Sequence, residues 1–300
     1  MEIRDLDYFL ACCKAGSFTA AAREVHIVQS AMSSAIARLE HDLGVPLFDR
    51  SVTPVAVTEH GAALQAAVQR ILDAVQAARD DVAAVSGQVR GTVILGCTLN
   101  TGPLDLGTVL ADVRDQHPDV VIQLRQSLTG STGNLQAVMD GSMDIALTAL
   151  AEQPGTGQPS RGVILSPLVS EALVFVCPAD HPLSQRPSVT VAELADETIL
   201  RFPPGWGLRD TVDRVLGAVP SAIEITDYAL MLKLVQRHFG TTLMPASALA
   251  AGPAGLRAVP VDNASLRWNL FAAISASRPP PAATTAVLRA LSQAASPGSG

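Results

Sequence analysis

The chain is poor in charge and in aromatic residues: of its 300 residues, 16% are Asp, Glu, Lys or Arg and 4% are Phe, Trp or Tyr. It has no run of about 18 consecutive apolar residues, so no segment reads as a bilayer-spanning helix. Its opening, "MEIRDLDYF", lacks the basic-then-apolar order of a signal peptide. A cytoplasmic protein with no membrane partner is expected. Cysteine is also scarce. Cys12, Cys13, Cys97 and Cys177 form no C-x-x-C or C…H spacing, and in a reducing compartment they read as small buried hydrophobes. A redox role for one pair is the open alternative.

Catalytic signatures are missing as well. "GTVILGCT" has the glycine spacing of a phosphate loop but ends in Cys-Thr, without the lysine that would grip a phosphate. There is no G-x-S-x-G elbow, H-E-x-x-H helix or G-x-G-x-x-G turn. The 6 histidines are scattered, with no i,i+4 pair and no nearby cysteine, so neither a metal site nor a cofactor is expected. A non-enzyme is the favoured reading. The balance of 21 Lys+Arg against 28 Asp+Glu, a net −7, argues against indiscriminate binding to polyanions or acidic membranes. It leaves room for a local DNA-binding face.

What is present is a core: 48% of residues are apolar, and the length suits two or three domains. The first 60 residues read as short helices. Leu6, Phe9, Leu10 and Cys13 share one face of the first, which Gly16 ends. Ser17 reads as the N-cap of a second, with Phe18, Ala21, Ala22 and Val25 inside. A third runs from about Gln29 to Leu43 and stops at Gly44. Its apolar stripe is Met32, Ile36, Leu39 and Leu43, which leaves Ser30, Ser34, Ala37, Arg38 and His41 on the opposite face. Two short helices, a turn and a third helix with a small, polar outer face meet the demands of a helix-turn-helix, since small residues let the backbone approach the major groove. "LGVPLFDRSVTPVAVTEHG" then suggests a short wing, ending where Thr58 caps the next helix.

From about Glu59 to Ser86 a long helix is predicted, about 40 Å at ~1.5 Å per residue. Leu64, Val68, Ile71, Val75, Ala78, Val82 and Val85 alternate steps of four and three, a heptad seam that predicts self-association; packing on its own domain is the alternative. From Gly91 the texture becomes α/β. Strands are expected at "TVILGC", "VVIQLRQS", "DIALTAL", "LVFVCP", "ETILRF", "AIEIT", "GTTLMP" and "RWNLFAAIS". Helices are expected between them and near Pro281–Ala294, which predicts open, mostly parallel sheets in two lobes.

With these residues laid out, "FLACCKAGSFTAAAREVHIVQSAMSSAIARLEHDLGVPLFDRS…VTEHG" resembles the winged helix-turn-helix of LysR-type transcriptional regulators, and the order of segments after it fits that family over essentially the whole chain. "HPDVVIQLRQ…GNLQAVMDGSMDIAL" and "LVFVCPADHPL" match weaker family patterns. The resemblance implies an α + α/β architecture: a winged helix-turn-helix over 1–58, a linker or dimerisation helix over 59–88, and an effector domain over 91–295. That domain would be of the type II periplasmic-binding-protein kind, with lobe I about 91–163 plus 276–295, lobe II about 164–265, and crossover strands between them. It implies an effector-modulated, sequence-specific regulator whose partners are a dyad-related double-stranded promoter site, a small-molecule effector, further copies of itself as dimer or tetramer, and RNA polymerase. The alternative is a small-molecule-binding or enzymatic α/β protein with a vestigial helix-turn-helix.

The chain departs from the family where it would read DNA. The family's third helix commonly opens Ser-Gln-Pro and carries Arg-Gln with a further basic residue; here those places hold Val28, Ser30, Ser34, Ala35 and Ala37. The first 60 residues hold 5 Lys/Arg against 8 Asp/Glu. The expected DNA set is therefore Thr19, Gln29, Ser30, Ser33, Ser34 and Arg38, with Arg50 and Thr53 at the wing, and a surface pair of Arg38 with Asp42 as the bland alternative. An effector is expected between the lobes, where strand ends meet helix N-termini. "CTLNTGP" supplies Thr98, Asn100 and Thr101. "SLTGSTG" supplies Ser127, Thr129, Ser131 and Thr132. Thr148 follows "DIAL", and "RFPPGWG" supplies Arg201, Phe202 and Trp206. Hydroxyls beside helix N–H groups suit a small organic anion, and Trp206 an apolar body.

Overall fold

The computed structural model of the chain describes residues 1–85, 88–126, 128–151, 162–217, 223–249 and 252–295. Two compact units divide it, Met1–Val82 and Ala83–Gly300.

The first unit holds α1 (Ile3–Ala15), α2 (Phe18–Glu24), α3 (Gln29–Leu43), a two-strand wing of β1 (Phe48–Asp49) antiparallel to β2 (Ala56–Val57), and most of α4 (Glu59–Ala84). The local signals act as the sequence suggests. The Ser17 side chain accepts the Ala20 N–H, and Thr58 Oγ1 accepts the Gly61 N–H at 3.1 Å. Gly16 and Gly44 close α1 and α3 in the left-handed region, at φ 59° and 73°. The core gathers Leu6, Phe9, Met32, Ile36, Leu39, Leu47, Phe48 and Val68. Leu43, expected to extend the stripe of α3, is 40% exposed; the helix stops at Gly44 before its last turn is covered. Cys12 rather than Cys13 is the fully buried member of the α1 pair.

The predicted seam of α4 divides. Val68 is wholly buried in the core of its own domain, and Leu64 and Leu72 pack against that same core. Steps of four carry this stripe onto the domain, so Val68 is not free for a partner, a correction to the seam. Farther along, Ile71 is 38% and Val82 73% exposed, Ala78 is exposed and Val75 half-buried. Ser86, the expected end of the helix, lies outside the described residues.

The second unit is an α/β body. Its first sheet runs β4 (Val120–Gln126), β3 (Gly91–Cys97), β5 (Ile145–Leu150), β9 (Arg267–Ser275) and the first half of β6 (Val163–Pro178). The second half of β6 pairs with β7 (Thr242–Pro245) on one side and β8 (Leu256–Pro260) on the other. One 16-residue strand thus serves both lobes. The ladders part at Ala172/Leu173 and at Leu266/Arg267, so β9 and β6 are the strands that cross between the lobes, with β9 and the first half of β6 hydrogen-bonded into the first sheet. Among the described strands only β3–β4 and β3–β5 are parallel, while β5–β9, β6–β9, β6–β7 and β6–β8 are antiparallel. The sheets are mixed, not mostly parallel, because the long strand and its return run against each other. "ETILRF" forms single bridges, Ile199 to Thr241 and Arg201 to Glu224, instead of a strand, and β8 was not foreseen.

Helices α5 (Leu106–Gln116), α6 (Gly130–Asp140) and α10 (Ala282–Ala295) flank the first sheet, and α7 (Gly207–Leu216), α8 (Tyr228–Gln236) and the short α9 (Ala246–Leu249) come from lobe II. Among the described residues no helix is long and apolar enough to cross a membrane.

Candidate DNA interface and effector cleft

On α3 the buried stripe is Met32, Ala35, Ile36 and Leu39. The opposite face is open: Gln29, Ser30, Ser34, Ala37, Arg38 and His41 are exposed, as are Thr19 on α2 and Arg50 and Thr53 at the wing. Ser33 is half-buried and takes the Gln29 amide N–H at 2.8 Å. The helix begins without a side-chain cap, and Val28 at its cap position is 67% exposed.

Both arginines of this face are held by carboxylates. Arg38 Nη2 donates to Asp5 Oδ1 at 2.8 Å, not to Asp42, which pairs with the chain's amino terminus. Arg50 Nη2 donates to Glu40 Oε2 at 2.8 Å and lies 5.0 Å above the Phe18 ring. The other Glu40 oxygen accepts the Leu47 and Phe48 amides, so one carboxylate ties α3 to the wing. Sequence spacing did not reveal Asp5 or Glu40, because each acts on residues distant along the chain or around a turn.

In the second unit the predicted effector residues fall into two groups. Thr98, Asn100 and Thr101 share the loop after β3, all half-buried. This loop does not cap α5: Asp105 does, its Oδ1 accepting the Thr108 amide at 3.1 Å. Thr101 Oγ1 donates to the Leu104 carbonyl at 3.0 Å, and Asn100 Oδ1 accepts the Gly102 amide at 2.9 Å. Asn100 Nδ2 is buried and has no hydrogen-bond partner of good geometry. Tyr228, which opens α8 on lobe II, lies against this side chain. Burial pushes its hydroxyl up, an effect the neighbouring Asn100 only partly offsets. The Tyr228 ring is 4.8 Å from Phe202, and Phe202 is 5.9 Å from Trp206. Tyr228 was missed because "DYALMLKLVQRH" announces only a capped helix.

The second group closes on itself. Gly207 donates its amide to Ser131 Oγ at 3.2 Å, and the Thr132 amide donates to the Gly205 carbonyl at 3.2 Å. Thr132 Oγ1 reaches the same carbonyl and Thr148 Oγ1 the Ser131 carbonyl, each at 3.4 Å. The approach is close: a Cβ at Gly207 would overlap the Ala149 carbonyl oxygen, and one at Gly130, where φ is +69°, would stand 2.7 Å from the Gly205 carbonyl. The N-terminus of α6, expected to await an anion, is met by lobe II backbone: Thr132 Oγ1 donates to it, whereas Ser131 Oγ accepts from it and keeps its O–H. Thr129 is exposed; Ser127 lies outside the described residues.

Arg201 Nη1 is held by an ion pair, while its Nε and Nη2 are buried without a hydrogen-bond partner among the described residues. Its side chain is 1% exposed and pairs with Asp213, which also pairs with Arg209. Arg209 further holds Glu224 at 2.7 Å. Trp206 and Phe202 are 8% and 2% exposed and belong to the core. Elsewhere on lobe II, a polar cavity of about 280 Å³ is lined by His181, Glu197, His238 and Phe239, among others. Among the described residues no group of three or more His, Cys, Asp or Glu is placed to hold a metal ion.

The family model for the bacterial regulatory helix-turn-helix protein of the lysR family matches residues 3–62, and that for the LysR substrate binding domain matches residues 86–296. The chain belongs to the LysR family. It is a LysR-type DNA-binding transcriptional regulator with an effector-binding domain. Among LysR-type relatives, a probable hydrogen peroxide-inducible genes activator of Mycobacterium avium is 30% identical over 283 residues, which are 92% of this chain and 85% of the relative. A full-length OxyR variant from Pseudomonas aeruginosa superimposes with a TM-score of 0.70 at 24% identity, over 97% of this chain and 98% of that one. Full-length CbnR complexed with its target DNA gives a TM-score of 0.63 at 19% identity, over 98% of this chain and 100% of that one. These likenesses establish the same fold.

Proposed function

We propose that this LysR-family chain works in the cytoplasm as a homo-oligomer and not as an enzyme. Residues 1–58 engage a dyad-related promoter site, the helix over 59–88 carries self-association, residues 91–295 take a small organic anion, and RNA polymerase reads the outcome. Asn100 Nδ2 carries the effector reading. A buried amide donor without a well-aligned acceptor is destabilising, Tyr228 meeting it only in part, and a carboxylate or carbonyl entering between Asn100 and Tyr228 would supply that acceptor. Phe202 and Trp206 provide the apolar wall behind it. The DNA reading rests on the open face of Ser30, Ser34 and Arg38, flanked by Thr19, Gln29, Arg50 and Thr53.

The Mycobacterium avium relative takes its name from hydrogen peroxide. A thiol answers peroxide as the thiolate, and burial pushes the thiols of this chain away from that form: Cys12 to about 12, Cys13 and Cys177 to about 11, with Cys97 also raised. An organic anion fits the available groups better than peroxide does. Calorimetry against a panel of small carboxylic acids tests this, with binding to a duplex selected from a randomised pool measured in parallel. A ligand that binds wild type should lose about tenfold or more in affinity on Asn100→Ala and should shift duplex binding. Unchanged affinity in Asn100→Ala and Tyr228→Phe would place the site elsewhere, and no preference for any duplex would end the regulatory reading.

A further inference from the structure

We infer that Asp5 is a positioning residue for DNA recognition, holding the Arg38 guanidinium from within α1. This rests on the assignment of Arg38 to the DNA face. Asp5 stands on the buried side of α1 with Leu6, Phe9 and Cys12, and its side chain is 3% exposed while that of Arg38 is 57% exposed. A carboxylate so placed must be compensated, since desolvating an ion without a partner is expensive. Part of the compensation is the helix itself, because Asp5 lies in the first turn of α1, where the helix dipole favours negative charge. The rest is the 2.8 Å contact with Arg38 Nη2, which reaches across 33 residues to join α1 to the outer face of α3.

Two consequences follow for DNA. An arginine side chain is long and loses rotamer entropy when a contact fixes it. Tethering one nitrogen before DNA arrives removes part of that loss, and the remaining Nη1, Nε and second Nη2 hydrogens stay available for a base edge. The tether also cancels the positive charge of Arg38 toward phosphates in general, so its contribution falls on discrimination rather than on bulk attraction. In a domain with 5 Lys/Arg against 8 Asp/Glu over its first 60 residues, a single oriented arginine matters more than it would on a basic face.

The test uses the full-length protein with two probes: a duplex selected by wild type from a randomised pool, and a scrambled duplex of the same composition. The affinity ratio between them is measured over a salt series for wild type, Asp5→Asn, Asp5→Leu, Arg38→Ala and Asp5→Leu/Arg38→Ala, with melting temperatures alongside. Arg38→Ala should lower the ratio about tenfold. Asp5→Leu should lower it nearly as far, and Asp5→Asn, which can still accept from Arg38, less. Affinity for the scrambled duplex should hold or rise in both Asp5 variants, since a negative charge has gone. The double variant should fall no further than Arg38→Ala. A ratio that survives Asp5→Leu but not Arg38→Ala overturns the positioning role and leaves Arg38 on the DNA face. A ratio that survives Arg38→Ala overturns that assignment and this inference together. Additive losses in the double variant would show Asp5 acting on the fold and not through Arg38. Should Asp5→Leu fail to fold, Asp5→Asn decides by the same comparison with Arg38→Ala.

Discussion

Ser131 on lobe I accepts a hydrogen bond from the Gly207 amide on lobe II, at 3.2 Å and fully buried. The two residues are 76 positions apart and stand at the first turns of α6 and α7. With the Thr132–Gly205 contact, this bond fastens the lobes together at the point where the sequence suggests an open anion site. Removing the hydroxyl leaves the Gly207 N–H buried and unpaired. Ser131→Ala is therefore expected to destabilise the protein by roughly 1–3 kcal/mol, and Gly207→Ala by more, because its Cβ would meet the Ala149 carbonyl. Denaturant unfolding of both variants checks this; an unchanged midpoint for Ser131→Ala would mean that the bond contributes nothing.

The absent cap of α3 makes a second expectation. Val28 sits at the cap position in extended geometry, φ −78° and ψ 145°, and is exposed. A serine there can accept an orphan N–H of the first turn without new burial, so Val28→Ser should add about 1 kcal/mol. Thermal melting of the full-length protein should move upward; a fall would show that the exposed valine has a contact of its own.

Val68 and Val75 separate two roles along α4. Val68 is 0% exposed within its own domain, so Val68→Ala should lower stability by about 2 kcal/mol with the oligomeric state retained at native temperatures. Val75→Glu puts a charge where self-association is proposed and should shift light scattering toward the monomer while leaving the melting of the separate domain little changed. If Val75→Glu still runs as the wild-type oligomer, the outer stretch of α4 is not the association surface.

The buried thiols set an alkaline limit. Cys12 and Cys177 are almost wholly inaccessible, and burial raises both, to about 12 and about 11. Their folded values exceed the unfolded ones, so this contribution is fully present below about pH 9 and fades as pH rises toward 11 or 12. The unfolded state then holds fewer protons than the folded one. Each thiol reduces stability by about 1.4 kcal/mol per pH unit within that window. Urea unfolding from pH 8 to 10.5 should show the decline, and Cys177→Ala should make it shallower. An identical slope in that variant would exclude Cys177 as a source.

Periodicity and caps are local, and the sequence carried them by itself: the steps Met32, Ile36, Leu39, the caps Ser17 and Thr58, the stops at Gly16 and Gly44, and the helix-turn-helix order with an α/β domain after it. Each depends on residues within one or two turns, where backbone geometry leaves few choices. Tertiary structure decided what those residues are used for. The same four-residue spacing that places Val68 on the seam also places it on its own core, and only packing distinguishes the two. The mixed sheet follows from one strand serving two lobes, which no local pattern encodes. A hydroxyl beside a helix N-terminus looks free in sequence, but Ser131 Oγ accepts the Gly207 amide and Thr101 Oγ1 donates to the Leu104 carbonyl. Arg38 reads in sequence as a DNA-face residue with a carboxylate, Asp42, at i+4, and the fold pairs it with Asp5. Hydrogen-bonding capacity is written in the side chain, whereas its expenditure depends on which distant group the fold brings within 3 Å.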